Sequence, residues 1–264
     1  MTTHNANKRA WEEAFDNKKE DFGNDIIEKI QQEKFPFLEP VLIETLNEYD
    51  LKDKKIAQFC CNNGRELLAL MHTGASFGVG FDIAENMVTF ANEVAQILEY
   101  DCTFISTDIL EIDSSHDGQY DAIFITIGAL TWFKDLDLFF DVVSRCLKKG
   151  GTVFINECHP LTNMLAMYGE PEYNSNNLNQ IVHSYFKSDP WIEVGGIDYL
   201  SDQSKKSVEV FTSYSHTLST IINSLIKNHL RIVTFIEIDQ DISGSFTELN
   251  QNGFPLSYLL TATK

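Results

Sequence analysis

Residues 59–66 read FCCNNGRE and join a short apolar run, KIAQFC (55–60), to a helical pattern that begins at Arg65. A strand, a tight loop and a helix in this order are typical of a nucleotide-type cofactor site, whose loop carries three glycines. Only Gly64 is a glycine here, and two of the glycine positions hold Cys60 and Asn62. The loop therefore predicts an α/β fold, and its side chains limit what it can bind.

The strand and helix patterns around this loop repeat along the chain. Apolar residues recur at steps of three and four between Met87 and Leu98 and between Leu136 and Leu147, as in amphipathic helices. Such helical patterns alternate with strand-length runs rich in β-branched or aromatic residues. The further runs are SFGVGFD (76–82), CTFIST (102–107), YDAIFITI (120–127) and GTVFINEC (151–158). This alternation predicts a parallel sheet covered on both faces by helices, with ligands bound at the carboxyl ends of the strands.

The chain beyond the fifth strand departs from this alternation. Residues 160–215 are rich in Asn, Ser, Gly and Pro and are longer than an ordinary connection, so we expect an insertion there. A helix over 217–230 and two strands, RIVTFIEID (231–239) and PLSYLLTATK (255–264), follow. No helical crossover separates these two strands, so they are predicted to form an antiparallel pair at the sheet edge.

Together these elements predict one domain over residues 1–264 with a Rossmann-like, doubly wound α/β fold. Its sheet would have seven strands, mostly parallel, with an antiparallel last strand. The N-terminal helical segment (1–50) and the insertion after the fifth strand (160–215) are expected to act as lids. Because lids close over the strand ends, these two segments would select the substrate.

Composition and charge narrow the class of protein. The chain has 20 basic and 39 acidic residues and a net charge of −19, which is unsuited to nucleic acid or to an anionic membrane surface. It lacks an apolar run of about 18 residues and a signal-peptide pattern, so we expect a cytoplasmic protein that does not enter a membrane. Five cysteines without a CxxC pair argue against disulfides and a structural zinc site, and no metal is expected.

The side chains of the loop argue against a dinucleotide. Asn62 and Arg65 occupy the second and third glycine positions, where they would obstruct a pyrophosphate on the helix N-terminus. A nicotinamide oxidoreductase is therefore disfavoured. A ligand without phosphates is not obstructed in this way, and an amino-acid carboxylate would suit the positive end of the helix.

Two acidic residues at strand ends extend the pattern. Asp82 ends the second strand, 82 − 64 = 18 residues after the loop glycine, close to the separation of about 20 at which a carboxylate binds a ribose diol. Asp108 follows the third strand, where it could accept from an adenine amino group while Ile109 covers the ring. Together the two acids describe a nucleoside site. Asp is also common after strands as a turn residue or helix cap, and for Asp108 both interpretations stay open.

Several motifs occur in order over about residues 55–160: IAQFCCNNGRELLAL, GVGFDIAENMVTFA, STDI, and the segment from YDAIFITIGALTWF to INECHP. In this order and spacing the chain resembles the class I S-adenosylmethionine-dependent methyltransferases. The family's E/D-x-G-x-G-x-G loop reads QFCCNNG here, without the acidic residue and two of the glycines. The resemblance implies S-adenosylmethionine as cofactor and methyl transfer to a small-molecule acceptor. The alternative is a protein that binds S-adenosylmethionine or S-adenosylhomocysteine without transferase activity.

The resemblance also implies the cofactor contacts. The loop would pass under the methionine part, Asp82 would hold the ribose, and Asp108 would bind the adenine edge. The implied set is Cys60, Cys61, Asn62, Gly64, Asp82, Ile83, Met87, Asp108, Ile109, Thr126 and Ile127. Core packing is an equally good account of Ile83, Met87 and Ile127, and the aromatic pair Trp132 and Phe133 either lines a substrate pocket or packs beside a helix start.

One histidine is a candidate catalytic base. Methyl transfer requires a base only where the accepting atom must lose a proton, and imidazole titrates near neutrality. His159 follows the fifth strand, on the expected ligand side of the sheet, and Glu157 two residues earlier would orient its ring. The alternative is a loop histidine that forms local hydrogen bonds and seats the insertion.

Overall fold

Helices and strands alternate along the first part of the chain as predicted. The computed structural model describes residues 3–194, 197, 199–202 and 204–264. The α-helices of the described residues are α1 (Thr3–Asp16), α2 (Ile26–Gln32), α3 (Pro40–Leu46), α4 (Arg65–Leu70), α5 (Glu85–Leu98), α6 (Leu136–Cys146) and α7 (Leu218–Lys227). The strands are β1 (Lys55–Phe59), β2 (Phe77–Asp82), β3 (Cys102–Ser106), β4 (Tyr120–Thr126), β5 (Leu147–Cys158), β6 (Trp191–Val194), β7 (Val210–Ser213), β8 (Arg231–Ile238) and β9 (Ser257–Thr263).

The main sheet has the predicted doubly wound architecture. Seven strands lie in the order β3-β2-β1-β4-β5-β9-β8. The pairs from β3 to β5 are parallel, whereas β9 is antiparallel to both β5 and β8. The prediction of a mostly parallel sheet with an antiparallel last strand is confirmed. The strand order reverses beside β1, so the carboxyl ends of β1 and β4 flank the position where such sheets bind ligands.

The fifth strand begins earlier than predicted. The sequence indicated a strand from residue 151, but β5 starts at Leu147, directly after α6. Leu147 pairs with Tyr120 ahead of a register shift, and Gly150 takes a φ of 81° within the strand. A glycine accepts this left-handed conformation without a steric penalty, so the chain bends there without leaving the sheet.

Apolar residues on both faces of the sheet form the core. Along β4, Ile123 and Ile125 point into the cluster under α6 and α7, whereas Ala122 and Phe124 point into the cluster under α4 and α5. All four are fully buried. Because successive strand residues point to opposite faces, a continuous apolar run is required when both faces are covered.

The N-terminal helix and the insertion pack on each other above the strand ends. Strands β6 and β7 form a separate antiparallel hairpin, and α1 lies against β7. The side chain of Asn7 accepts from the backbone N–H of Thr212 and donates to its carbonyl, both at 2.8 Å. We call α1 together with the β6–β7 hairpin the cover. Residues 1–2, 195, 196, 198 and 203 of the two predicted lids lie outside the described residues.

None of the helices in the described part of the chain combines the length and the apolar character that a membrane span requires.

Candidate active site

The loop between β1 and α4 keeps a left-handed backbone although most of its glycines are absent. Cys60, Asn62 and Gly64 have φ angles of 56°, 51° and 79°. A residue other than glycine in this region costs on the order of 1–3 kcal/mol, and Asn accepts it more readily than most residues. The glycine positions occupied by Cys60 and Asn62 thus retain conformations that glycine favours.

Hydrogen bonds to the neighbouring strand hold the loop in this path. The backbone N–H of Cys61 donates to the Phe81 carbonyl at 3.0 Å, and that of Asn62 donates to Asp82 Oδ2 at 2.8 Å. A Cβ atom at Gly64 would lie 2.6 Å from the ring of Phe104, so this position requires glycine for space as well as for its φ angle. Tertiary contacts therefore replace the flexibility of the missing glycines.

Asp82 braces the loop from the carboxyl end of β2. Its Oδ1 accepts from the Ala84 N–H at 3.0 Å, while Oδ2 accepts from the Asn62 N–H. Burial raises the pKa of Asp82, against the backbone hydrogen bonds, which lower it. Each carboxylate oxygen has two lone-pair sites, so both oxygens retain capacity for a ligand hydroxyl.

Asp108 is bound by a residue that the sequence did not single out. His4 Nδ1, on α1, lies 2.5 Å from Asp108 Oδ2, while Oδ1 accepts from the Leu110 N–H at 3.0 Å. Burial opposes ionisation of Asp108, but these bonds and the charge of His4 outweigh it, so its pKa is lowered. The hydrogen bond to Asp108 raises the pKa of His4 despite burial. The N-terminal helix is therefore tied directly to the end of β3.

A cavity of about 550 Å³ lies over the carboxyl ends of β1, β2 and β4. Eight of the predicted cofactor residues line it: Cys60, Asn62, Asp82, Ile83, Asp108, Ile109, Thr126 and Ile127. Trp132 and Phe133 line it as well, as one of the two interpretations of this aromatic pair expects. The fold thus brings residues that follow β1, β2, β3 and β4 to a single cavity.

Three other predicted cofactor residues lie outside this lining, all within the described part of the chain. Cys61 and Met87 are 0% and 1% exposed and pack in the apolar core. Gly64 shapes the turn before α4. Met87 packs beside Phe211 of the insertion because α5 turns this side chain toward the cover. For Met87, the structure shows the core packing that was the alternative to a cofactor contact.

Buried polar atoms without partners provide a test of whether the cavity fits the expected cofactor. Asn63 lines the cavity and is 1% exposed, yet neither its amide oxygen nor its amide nitrogen has a hydrogen-bond partner. Buried polar groups are almost always satisfied, so this amide is suited to a polar ligand group. Asp82 and Asp108 supply acceptors for a diol and an amino group. This set of donors and acceptors fits a nucleoside that carries an amino-acid chain.

His159 does not line this cavity. Its imidazole is buried, Nδ1 accepts from the Leu161 N–H at 3.1 Å, and Nε2 lies 3.1 Å from Glu237 Oε1. Burial lowers the pKa of His159, against the charge and hydrogen bond of Glu237, which raise it. Both ring nitrogens are thus used in local contacts that seat the segment after β5. This geometry favours the structural alternative, and a catalytic role for His159 stays an untested prediction.

The expectation that Glu157 orients His159 is wrong. Glu157 accepts instead from the backbone N–H groups of Gly128, Ala129 and Leu130, at 2.5, 2.7 and 3.0 Å, and Glu237 on β8 contacts the histidine. Burial raises the pKa of Glu157, although these backbone hydrogen bonds lower it. Glu157 therefore fixes the turn after β4, which forms part of the cavity wall.

A second cavity of about 250 Å³ adjoins the first. Gly128 and Ser243 line both cavities. The second one extends from the end of β5 under the insertion, between the turn after β4 and β7. The ligand side of the sheet thus carries two adjoining cavities of different size.

Sequence patterns missed several residues around the larger cavity. His4, Asn7 and Trp11 reach it from α1, Tyr199 reaches it from the insertion, and Ser243 reaches it from the segment between β8 and β9. Each of these residues lies far along the chain from the cofactor loop. Only the amphipathic character of α1 signals that this helix packs on something, and it does not indicate what.

The family model described as "Methyltransferase domain" matches residues 51–213, which include the loop, the strand ends and most of the insertion. The chain therefore belongs to this family and is a class I S-adenosylmethionine-dependent methyltransferase. None of the curated proteins matches the chain in sequence.

Solved structures share the fold at low sequence identity. An S-adenosylmethionine-dependent methyltransferase from Mesorhizobium loti is 19% identical with a TM-score of 0.62, covering 89% of this chain and 100% of that one. Geranyl diphosphate C-methyltransferase from Streptomyces coelicolor A3(2) is 15% identical with a TM-score of 0.60, covering 100% and 98%. An S-adenosylmethionine-dependent methyltransferase from Clostridium acetobutylicum is 13% identical with a TM-score of 0.59, covering 91% and 96%.

Proposed function

We propose that this methyltransferase binds S-adenosylmethionine in the larger cavity and transfers its methyl group to a small molecule. The observation that carries the proposal is the convergence of Asp82, Asp108 and the left-handed loop on one cavity. The alternative, a binding protein without transferase activity, lacks a comparable observation in its favour. The cytoplasm is the proposed location, because all five cysteines are free thiols and suit a reducing compartment.

Each wall of the larger cavity suits one part of the cofactor. Asp82 would hold the ribose hydroxyls, and Asp108 with Ile109 would bind the adenine. The loop over residues 60–64, the amide of Asn63 and the end of β4 at Thr126 and Ile127 would surround the methionine part. Gln58 donates to Thr126 Oγ1 at 2.8 Å and so fixes that end of β4 from the neighbouring strand.

The chain contributes mainly alignment and the exclusion of water. The bound cofactor would supply a methyl group that its sulfonium already activates. Gly128 and Ser243 line both cavities, so an acceptor in the smaller one would lie beside a donor in the larger one. The cover closes the space above, and Trp11, Trp132 and Phe211 pack edge-on or tilted at centroid distances of 5.4–5.8 Å. Such positioning accounts for much of the rate enhancement of a displacement reaction.

A small molecule is the proposed acceptor because the cavities are small and residues of the cover line both of them. One structural relative is a geranyl diphosphate C-methyltransferase, so the fold accommodates small acceptors. An acceptor in nucleic acid is disfavoured by the net charge of −19.

Asp82→Ala tests the proposed cofactor site. The variant loses the carboxylate expected to bind the ribose, so affinity for S-adenosylhomocysteine in isothermal titration should fall by about 1–3 kcal/mol, or roughly 5- to 150-fold. Asp113→Ala is the matched control, because Asp113 also accepts a backbone N–H at 2.8 Å but lies outside the larger cavity. Circular dichroism establishes that both variants are folded. If Asp82→Ala keeps its affinity for S-adenosylhomocysteine, Asp82 only braces the loop. If wild-type protein binds NADH but not S-adenosylhomocysteine, the cofactor assignment is refuted.

A further inference from the structure

The smaller cavity lies where a methyl acceptor would meet the donor. Gly128 lines both cavities and follows Thr126 and Ile127, which line the larger one. A Cβ atom at Gly128 would meet no atom within 4 Å, so the space beside its backbone is open. The volume of about 250 Å³ corresponds to roughly eight water molecules at their liquid volume of about 30 Å³ each. This space suits a small acceptor.

The charges of the smaller cavity disfavour an anion. Among the described residues that line it are Glu157, Glu170 and Glu193, and none is Lys or Arg. Glu157 is held by three backbone N–H groups, and Glu170 accepts from the Met167 N–H at 2.7 Å. An acceptor carrying a carboxylate or phosphate would therefore meet Glu side chains and neither Lys nor Arg among the described residues of the lining, at a cost in desolvation.

Aromatic residues supply much of the remaining wall. Trp191 of β6, Phe246 and Tyr258 line the cavity, together with aliphatic side chains such as Leu130 and Ile221. Aromatic rings pack favourably edge-on or offset against one another. The lining thus favours an uncharged, aromatic acceptor.

One histidine of the smaller cavity, His216, contacts a residue of the larger one. It lines the smaller cavity, and its Nε2–H donates to the carbonyl of Phe133, which lines the larger cavity, at 2.9 Å. A proton on Nε2 leaves the Nδ1 lone pair of the neutral ring as an acceptor. Burial lowers the pKa of His216, although the carbonyls of Phe133 and Leu130 raise it, so the neutral ring is favoured near neutral pH.

We propose that the smaller cavity binds the methyl acceptor, that this acceptor is a small uncharged phenol, and that His216 Nδ1 takes its proton. The assignment rests on the proposed function. A phenol loses its proton near pH 10, within the range in which an imidazole can assist as general base, whereas an aliphatic alcohol is far less acidic. His216, and not His159, is therefore the catalytic base in this proposal.

The transfer step balances with the groups named. The phenolic oxygen forms a bond to the methyl carbon as the carbon–sulfur bond breaks, and that bond's electron pair stays on sulfur. The phenolic proton moves to His216 Nδ1, and the imidazolium later releases it to water. The products are an aryl methyl ether and S-adenosylhomocysteine.

Binding is measured first, by isothermal titration of protein saturated with S-adenosylhomocysteine. The probes are phenol and 2-naphthol, with benzoate and 2-naphthoate as anions of matched shape and benzylamine as a cation. The phenols should bind at least tenfold more tightly than the anions. Ser213→Trp should abolish phenol binding because it fills the cavity, whereas Val194→Trp, on the same hairpin but outside the lining, should not.

Turnover with labelled S-adenosylmethionine and the phenols follows. His216→Gln should lower turnover by about 10²–10⁴-fold with phenol and S-adenosylhomocysteine affinities intact, and it should lose more activity than His159→Gln. Failure to bind S-adenosylhomocysteine would refute the proposed function itself. If S-adenosylhomocysteine binds, three results would refute the acceptor assignment alone. The first is that phenols do not bind, or bind no more tightly than the anions. The other two are phenol binding that survives Ser213→Trp and methyl transfer to benzylamine only. A larger loss in His159→Gln would transfer the base role to that residue.

Discussion

Asp108 has two sets of partners in this structure. His4 approaches Oδ2 and the Leu110 N–H donates to Oδ1, so an adenine amino group would have to share an oxygen with one of them. The ring of His4 also packs edge-on against Phe133, with centroids 5.5 Å apart. Docking of the N-terminal helix and binding of the nucleoside therefore involve the same carboxylate.

The ion pair of His4 and Asp108 predicts a window of pH in which α1 is most firmly docked. The raised pKa of His4 contributes stability that is fully present below its unfolded value of 6.5 and is lost as pH rises through the folded value. The lowered pKa of Asp108 contributes stability that is present above 3.8 and is lost as pH falls through the folded value. Their joint contribution is therefore greatest between these two unfolded values.

Denaturant unfolding of His4→Ala and wild-type protein at pH 5.5 and pH 8.5 checks this window. The variant should lose about 1 kcal/mol or more at pH 5.5 and less at pH 8.5, because the stability contributed by the raised pKa of His4 declines as pH rises. Lys8→Ala, on the same helix, is the control, because Lys8 pairs with Glu12 and Glu85 and not with Asp108. A loss that is equal at both pH values would show that His4 acts through packing alone.

Two elements from opposite parts of the chain form the cover. Asn7 on α1 meets the Thr212 backbone in the manner of a neighbouring strand, and Arg9 pairs with Glu209 at 3.1 Å. The backbone N–H groups of Val208 and Glu209 donate to Glu13. Backbone hydrogen-bonding groups along and just before β7 are thus paired with side chains of α1. We therefore expect the N-terminal segment and the insertion to loosen together.

Asn7→Ala should loosen this contact. Asn7 is 4% exposed, so its loss leaves two backbone groups of Thr212 without partners and should cost about 2 kcal/mol. Hydrogen exchange of residues 208–213 should accelerate by up to about 30-fold, while exchange in β1 and β4 stays unchanged. Lys8→Ala again serves as the control on α1. Unchanged exchange in the hairpin would mean that the insertion is held independently of α1.

At the scale of the whole molecule, charge limits the partners. The net charge of −19 arises from 39 acidic and 20 basic residues. Three of the cations, Lys19, Lys29 and Arg65, border the larger cavity. We expect a chain with this net charge to repel polyanions.

A labelled single strand of DNA tests this expectation. Fluorescence anisotropy at about 50 mM salt should show no binding, because binding of polyanions depends on the release of counterions by Lys and Arg. Lysozyme, a basic protein, serves as the positive control for the assay. If the DNA binds to the methyltransferase and this binding weakens steeply as salt increases, the expectation is contradicted and nucleic acid is again a candidate substrate.

The sequence by itself determined the architecture. Strand-length apolar runs alternating with amphipathic helices specify a parallel sheet covered on both faces, since period and composition are local properties of the chain. The same local signals placed Asp82, Asp108 and Thr126 at strand ends, and parallel strands bring their carboxyl ends to one edge. Eight predicted cofactor residues consequently line one cavity.

Only the tertiary structure decided how the site is completed. His4 lies 104 residues from Asp108, and the backbone partners of Glu157 lie between 27 and 29 residues from it, so periodicity could not reveal them. The loop of Cys60 and Asn62 keeps a left-handed path because Phe81 and Asp82 hold it, a stabilisation that residue preferences do not include. The local contacts of His159 and the position of His216 in the lining of the smaller cavity were hidden from the sequence for the same reason, because contacts between distant segments set the surroundings of each imidazole.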